Sequence, residues 1–341
     1  MTAITRPLHS SPQEIRPFDV RRDLKAVANL VELCFADTLD TEGRRYVQQM
    51  HSAADNPTYL RWASAVAGRV SMPLTGFVWE EHGYLAGNLS LIPFTSRGRR
   101  LFLIANVAVD PAYRQRGIAR QLTEAALDQI RKRGAQAVWL HVRSDNQPAN
   151  HLYRSLGFEE RARRSTWETD WSRSRSGRPK DSPGTDDSPA PGLARDASPV
   201  EIGPRRAQHW AEQLIWMRRT YPQEVTWHLP LDVHALRPGL RGILYRVFTG
   251  AQIKQFAATR QGRLLGVLVW QPLSRYTDNL WLAASLAHED AAIRALLPHV
   301  RQAVGGARGF SLDYPAERGV EALEEVGFKL HQTLIWMELA L

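Results

Sequence analysis

The sequence predicts an α/β protein of two units, each a mixed, twisted β-sheet flanked by helices. In both halves, strand-length apolar runs alternate with amphipathic stretches of helical period, the pattern of sheet and helix layers around a core. Between the halves, Arg173 to Gly192 contains no large apolar residue and is rich in Ser, Pro, Gly and charge. Such a stretch cannot bury enough surface to offset its ordering entropy, so it reads as a disordered linker. The second half then repeats the order of the first, as duplication of one fold would produce. Leu156-Gly157-Phe158 corresponds to Val326-Gly327-Phe328, and Trp167 to Trp336 within one position. A chain of 341 residues exceeds one typical domain, and the expected division is residues 1–171, a linker over 172–203, and residues 204–341.

In the first unit, Glu14 to Asp19 reads as a short strand. A helix over Arg22 to Phe35 follows, with Leu24, Val27, Leu30, Val31 and Cys34 on one face. A second helix covers Thr41 to Ala53. Leu74 to Glu80 and Tyr84 to Pro93 form a hairpin turning at Glu81-His82-Gly83, and Leu101 to Val109 is a strongly apolar strand. The next helix, Arg116 to Arg133, buries Ile118, Leu122, Ala126 and Ile130. Its Arg131-Lys132-Arg133 before Gly134 suits a C-terminus. A strand at Ala137 to Val142, a helix at Pro148 to Leu156, and two strands, Phe158 to Arg163 and Ser165 to Trp171, complete the unit. The second unit is expected to hold a helix at Pro204 to Arg219 and strands at Gln255 to Thr259, Arg263 to Trp270 and Leu280 to Leu286. A helix at Glu289 to Val304, a strand at Gly309 to Tyr314 and a helix at Val320 to Val326 end it.

Composition narrows the function. Cys34 is the only cysteine, so no internal disulfide or Cys-based metal site can form, which fits a reducing compartment; no metal is expected. Met1 to Phe18 lacks the apolar core of a secretory signal, and the longest apolar run, Leu264 to Trp270, is far too short to span a bilayer. A cytoplasmic protein without a membrane partner is expected. The net charge of +9 comes mostly from arginines scattered through both halves, with no helix–turn–helix, zinc-finger or RNP signature. Nucleic acid is therefore not the expected partner, and a basic surface equally attracts an acidic cofactor or substrate.

The chemistry concentrates in Val107-Ala-Val109-Asp-Pro-Ala-Tyr-Arg114-Gln115-Arg116-Gly117-Ile118-Ala119. Here an apolar strand enters a short basic loop and then a helix. Helix starts leave N–H groups unpaired and carry partial positive charge, which suits a phosphate or pyrophosphate. Gly117 lets backbone approach a ligand without a Cβ, Ala119 keeps the next turn small, and Arg114 and Arg116 add charge. Taken alone, this Arg-x-x-Gly-x-Ala better fits an ordinary strand–turn–helix with solvated arginines. A second segment follows downstream: Asn146-Gln-Pro-Ala-Asn-His-Leu-Tyr153-Arg-Ser-Leu156-Gly157-Phe158.

In this order, the two segments resemble the GNAT superfamily of N-acetyltransferases, over Glu14 to Trp171, and the two units then read as tandem GNAT-like units. The resemblance implies acetyl-CoA as co-substrate, its pyrophosphate held by main-chain N–H groups of Arg114, Gln115, Arg116, Gly117, Ile118 and Ala119. It gives the Val109 backbone to the pantetheine arm, the Val107 N–H to the acetyl oxygen, and Asn146 to fixing the arm from the opposite strand. Tyr153 resembles the general acid that protonates the departing thiolate. Some members carry a glutamate base four residues before the position of Val107. That residue is Leu103 here, which cannot accept a proton. His141 is the alternative base, since an imidazole titrates near neutrality; a sheet histidine bonded to backbone is the more ordinary reading of it. Glu80 and Glu81 are further candidates, acting through water.

The second unit has lost the chemistry. Counting back from Gly327, Asn146 corresponds to Ala316 and Tyr153 to Leu323, while His288-Glu289-Asp290 would set carboxylates where a phosphate should bind. The expected activity is direct acetyl transfer to a primary amine, a small molecule or a peptide N-terminus. The competing reading is a non-catalytic acyl-CoA-binding sensor, which would need the loop but not Tyr153.

Overall fold

The computed structural model describes residues 14–36, 41–67, 69–70, 72–96, 98–169, 198–227, 229–272, 277–305 and 309–341. Two compact units result: residues 1–142, 146–161 and 336–341 form unit 1, and residues 143–145 and 162–335 form unit 2. Most of the expected linker lies outside the described residues; its last residues enter a strand, β7, at Glu201–Pro204.

Unit 1 is a mixed sheet in the order β1 (Glu14–Pro17), β2 (Thr75–Glu81), β3 (Tyr84–Ser96), β4 (Arg99–Val109) and β5 (Ala137–Arg143). Neighbours are antiparallel except β4 and β5, which run parallel. Helix α1 (Val20–Phe35) buries Leu24, Val27, Leu30 and Val31, the face that the periodicity marks. Asp19 caps it, accepting from the Arg21 N–H at 2.9 Å. Helix α2 is Thr41–Ala54. Helix α3 (Pro57–Val66) was not expected, although its signals are in the sequence. Asn56 accepts from the Thr58 and Tyr59 N–H groups at 3.0 Å, and Pro57 occupies the first turn. Helix α4 (Ile118–Lys132) buries Ile118, Leu122, Ala126 and Ile130, and α5 spans Gln147–Ser155.

The two strands expected after α5 are one, β6 (Glu159–Glu168), because nothing between Phe158 and Trp167 can turn the chain: no Gly, Pro or Asn interrupts it. From residue 162 onward β6 belongs to unit 2, whereas the chain's end, residues 336–341, belongs to unit 1. There the Leu341 N–H donates to the Gln136 carbonyl at 3.2 Å.

Unit 2 repeats the plan in the order β7, β8 (Lys254–Arg260), β9 (Arg263–Pro272), β10 (Thr277–Ala284), β11 (Gly309–Pro315) and β6. Strands β10 and β11 are parallel, and β11 pairs antiparallel with β6 from Ser311↔Glu168 to Pro315↔Arg164. Three helices, α6 (Trp210–Thr220), α7 (Gln223–Thr226) and α8 (Gly239–Thr249), precede β8. Helix α9 (Glu289–Val304) buries Ala292, Ile293, Leu296, Leu297 and Val300. Helix α10 (Val320–Glu325) leads to β12 (Lys329–Ala340). Among the described residues, no helix is long and apolar enough to cross a membrane, and no group of His, Cys, Asp and Glu is placed to hold a metal ion.

Candidate functional site

Strands β4 and β5 are paired only from Leu101↔Ala137 to Ile104↔Leu140, and β4 then runs on to Val109 without its parallel partner. Its other side stays paired, with Asn88↔Ala108 and Gly87↔Val109, and the Asp110 N–H donates to the Ala86 carbonyl at 2.9 Å. Backbone groups alternate sides along a strand. With Ala108 and Asp110 directed at β3, the Val107 and Val109 backbones point the other way, into the side that β5 has left. Two donors meet the Val109 carbonyl there: Arg114 Nε at 3.2 Å and the Cys34 thiol at 3.3 Å. Burial pushes the Cys34 thiol up, so it stays protonated and is a poor nucleophile.

Beyond Val109, Asp110 fixes the turn. Its Oδ1 accepts from the Ala112 N–H at 2.8 Å and its Oδ2 from the Tyr84 hydroxyl at 2.5 Å. Gln115 and Gly117 adopt left-handed conformations, φ 63° and 76°. Gly117 is the N-cap of α4, and no side chain caps that end. The first intrahelical bond runs from the Gln121 N–H to the Gly117 carbonyl at 3.0 Å, so the N–H groups of Ile118, Ala119 and Arg120 remain at the helix mouth. A Cβ on Gly117 would have only the Gln121 side chain within 4 Å, at 3.7 Å, so the space over the loop is open. The Ile118 side chain is buried and anchors the helix start. Arg116 pairs with Glu81 at 2.7 Å and lies over the Tyr113 ring. This exposed cradle of N–H groups and guanidiniums suits a pyrophosphate.

Asn146 is the N-cap of α5, its Oδ1 accepting from the Ala149 N–H at 3.2 Å. Tyr153 is 6% exposed, edge-on to Phe158, and no hydrogen bond engages its hydroxyl among the described residues. Burial pushes the phenol well above its ordinary value, so it holds its proton at neutral pH. His141 on β5 is half-buried, its ring 4.0 Å from that of Trp336. Glu80 does not fit the role of base. Arg16 Nε and Arg22 donate to its carboxylate at 2.7 Å, which occupies the lone pairs that a base would use. Glu81 is held by Arg116.

A group that sequence reasoning passed over sits just before Val107. The β3–β4 ladder shifts register between Asn88 and Ser90, and Asn106 lies at φ 50°. Buried Asn88 donates to the Asn106 carbonyl at 2.9 Å, and Asn106 Nδ2 donates to the Tyr46 hydroxyl at 2.9 Å. This bulge sets the direction of the Val107 amide. Its signal was an Asn inside the run Leu-Phe-Leu-Ile-Ala-Asn-Val-Ala-Val, since Asn is the residue after Gly that best tolerates a left-handed backbone. Asn106→Ala is expected to cost about 1–3 kcal/mol of unfolding free energy, and Asn106→Gly distinctly less. Equal losses in chemical denaturation would show that the backbone conformation is not what Asn106 supplies.

Unit 2 keeps the frame and closes it. Pairing of β10 with β11 ends at Leu280↔Leu312, and the Ser285 N–H donates to the Leu265 carbonyl as Asp110 does to Ala86. Leu282 thus stands where Val107 does, but its N–H already donates to the Tyr221 hydroxyl at 3.2 Å, and Arg219 donates to the Ala284 carbonyl at 2.7 Å. At the start of α9, buried Glu289 accepts from Tyr314 and Arg318, so unit 2 sets carboxylates, Glu289 and Asp290, in the first turn of a helix whose counterpart α4 carries none. Leu323, fully buried, replaces the phenol.

The model of the acetyltransferase (GNAT) family matches residues 29–158. The chain is 49% identical over 55 residues to the ribosomal protein bS18-alanine N-acetyltransferase of Escherichia coli, covering 16% of this chain and 37% of that one. It is 32% identical over 167 residues to the mycothiol acetyltransferase of Thermobifida fusca, covering 48% and 47%. The chain thus spans less than half the length of these curated relatives. A solved GCN5-related N-acetyltransferase from Sphaerobacter thermophilus shares the fold, with a TM-score of 0.54 at 13% identity over 96% of both chains.

Proposed function

Through residues 29–158 the chain belongs to the acetyltransferase (GNAT) family, and from the site in unit 1 we propose that it moves an acetyl group from acetyl-CoA directly to a primary amine. The observation that carries this is the Val107 backbone aimed into the opened side of β4, on the same strand that feeds the uncapped, glycine-started helix α4. Acetyl-CoA would supply the acetyl group already activated as a thioester. The Arg114 N–H donates to the Pro111 carbonyl, so the N–H groups from Gln115 to Ala119, with the Arg114 and Arg116 side chains, would hold its pyrophosphate, and the Val109 backbone and the Asn146 amide its pantetheine arm. A fixed N–H donor at Val107 would stabilise negative charge growing on the acetyl oxygen, a contribution of about 2.7–4 kcal/mol where such donors have been removed. Tyr153 would hold the proton that the leaving sulfur takes up. A buried, protonated phenol favours the enzyme over a cofactor sensor, which has no use for one.

The relatives act on a ribosomal protein alanine and in mycothiol acetylation, so small amines and peptide N-termini are both acceptors to test. An α-amine, with a pKa of about 7.7–8.0, loses its proton with little help, which is compatible with a site lacking a strand carboxylate. Incubating the full chain with acetyl-CoA and a panel of amines and peptides should release free CoA thiol with at least one acceptor. Binding of acetyl-CoA without transfer to any acceptor would favour the sensor.

His141 is the proposed base. If it removes the amine proton, the pH–rate profile carries an acidic limb that His141→Ala loses. A limb kept by the variant would assign the proton to water.

A further inference from the structure

Unit 2, though closed as a transferase, holds a cavity of about 470 Å³ between α6, α7 and the start of α8. Trp210, Met217 and Val233 line it with apolar surface, and Arg218, Arg237 and Arg241 bring guanidiniums to it. No carboxylate lines it among the described residues, and none pairs with these three arginines. Like charges gathered over low-dielectric walls repel one another and focus a field that an anion relieves.

The wall is also braced. Arg246 donates to the Ala235 carbonyl at 2.8 Å, and Arg205 to the Leu236 carbonyl, fixing the turn that presents Arg237. Gly242 lets α8 close on that turn, since a Cβ there would fall 1.9 Å from the Arg237 carbonyl oxygen. Two guanidiniums and a close backbone approach thus hold Arg237 and Arg241 at the cavity. A volume within the usual range for small-ligand sites, mostly apolar walls and three arginines at the lining suit an amphipathic anion.

We propose that this cavity binds an organic dianion, a phosphate monoester or a dicarboxylate on an aromatic or apolar body. Arg218, Arg237 and Arg241 clasp its charge, while Trp210, Met217 and Val233 pack its body. The site uses none of the residues assigned to acetyl transfer, and it gives the second unit a ligand of its own.

The full chain should be titrated calorimetrically with phenyl phosphate, phthalate, inorganic phosphate and benzyl alcohol. An aromatic dianion is expected to bind once per chain, about tenfold or more tighter than inorganic phosphate, with no binding of benzyl alcohol. The tighter of phenyl phosphate and phthalate identifies the charged group. Because Arg237 and Arg241 are exposed, the R237A/R241A double variant should keep its unfolding temperature and lose about tenfold or more in affinity. Val233→Trp, which fills the cavity, should abolish binding as well. Aromatic dianions that bind no tighter than inorganic phosphate, both variants binding as the wild type does, or displacement of the probe by acetyl-CoA would each overturn the proposal.

Discussion

Tyr153→Phe is expected to leave acetyl-CoA affinity near the wild-type value and to lower turnover by about 10²-fold or more, the scale of a lost general acid. The substitution keeps the ring packed edge-on against Phe158 and removes a hydroxyl that no hydrogen bond engages among the described residues. Stability should therefore change little, and a loss of rate cannot be put down to a collapsed site. The phenol's environment adds a pH signature. A general acid works while protonated, and burial raises the Tyr153 phenol above its ordinary value of about 10, so its active form persists as pH rises. No alkaline loss of rate from this group is expected below about pH 10. Wild-type turnover in the variant would remove the acid and leave cofactor binding alone.

Gly117→Val should weaken acetyl-CoA binding by about 10²-fold or more, from two causes acting together. At φ 76° a β-branched residue is strained by about 1–2 kcal/mol, so the loop shifts away from the shape that aims its N–H groups. The added side chain also stands in the open space over α4, where the pyrophosphate would lie. Because a Cβ at this position would meet no protein atom closer than Gln121 at 3.7 Å, the fold itself has little reason to suffer. Calorimetry showing unchanged affinity in a folded variant would move the cofactor away from this loop.

Much of the site was legible because its signals are local. An apolar run, a basic turn, one glycine and an amphipathic helix lie within a single stretch from Leu101 to Lys132, and each dictates its own conformation. Tyr153 could be singled out by its spacing from Gly157, and the absence of its counterpart and that of Asn146 from unit 2 by Leu323 and Ala316. What stayed hidden depends on partners far apart in sequence. The capture of Glu80 by Arg16 and Arg22, the packing of His141 against Trp336, and the Tyr221 hydroxyl on the Leu282 N–H are all tertiary. The joining of two expected strands into β6 shows the same limit: a strand's length follows from the sheet it enters. Helix α8 was hidden for another reason. It carries Gly239, Gly242 and Gly250 at or near its ends and leaves Leu240, Val247 and Phe248 exposed, so its apolar stripe does not mark a core.

One working site per chain, in unit 1, is the centre of this account. Calorimetric titration of the full chain with acetyl-CoA tests it most directly. The expected stoichiometry is one, because the helix start of unit 1 carries no carboxylate, while that of unit 2 carries Glu289 and Asp290 and the Leu282 N–H is spent on Tyr221. Two equivalent sites, or a single site whose affinity is untouched by Gly117→Val, would contradict it.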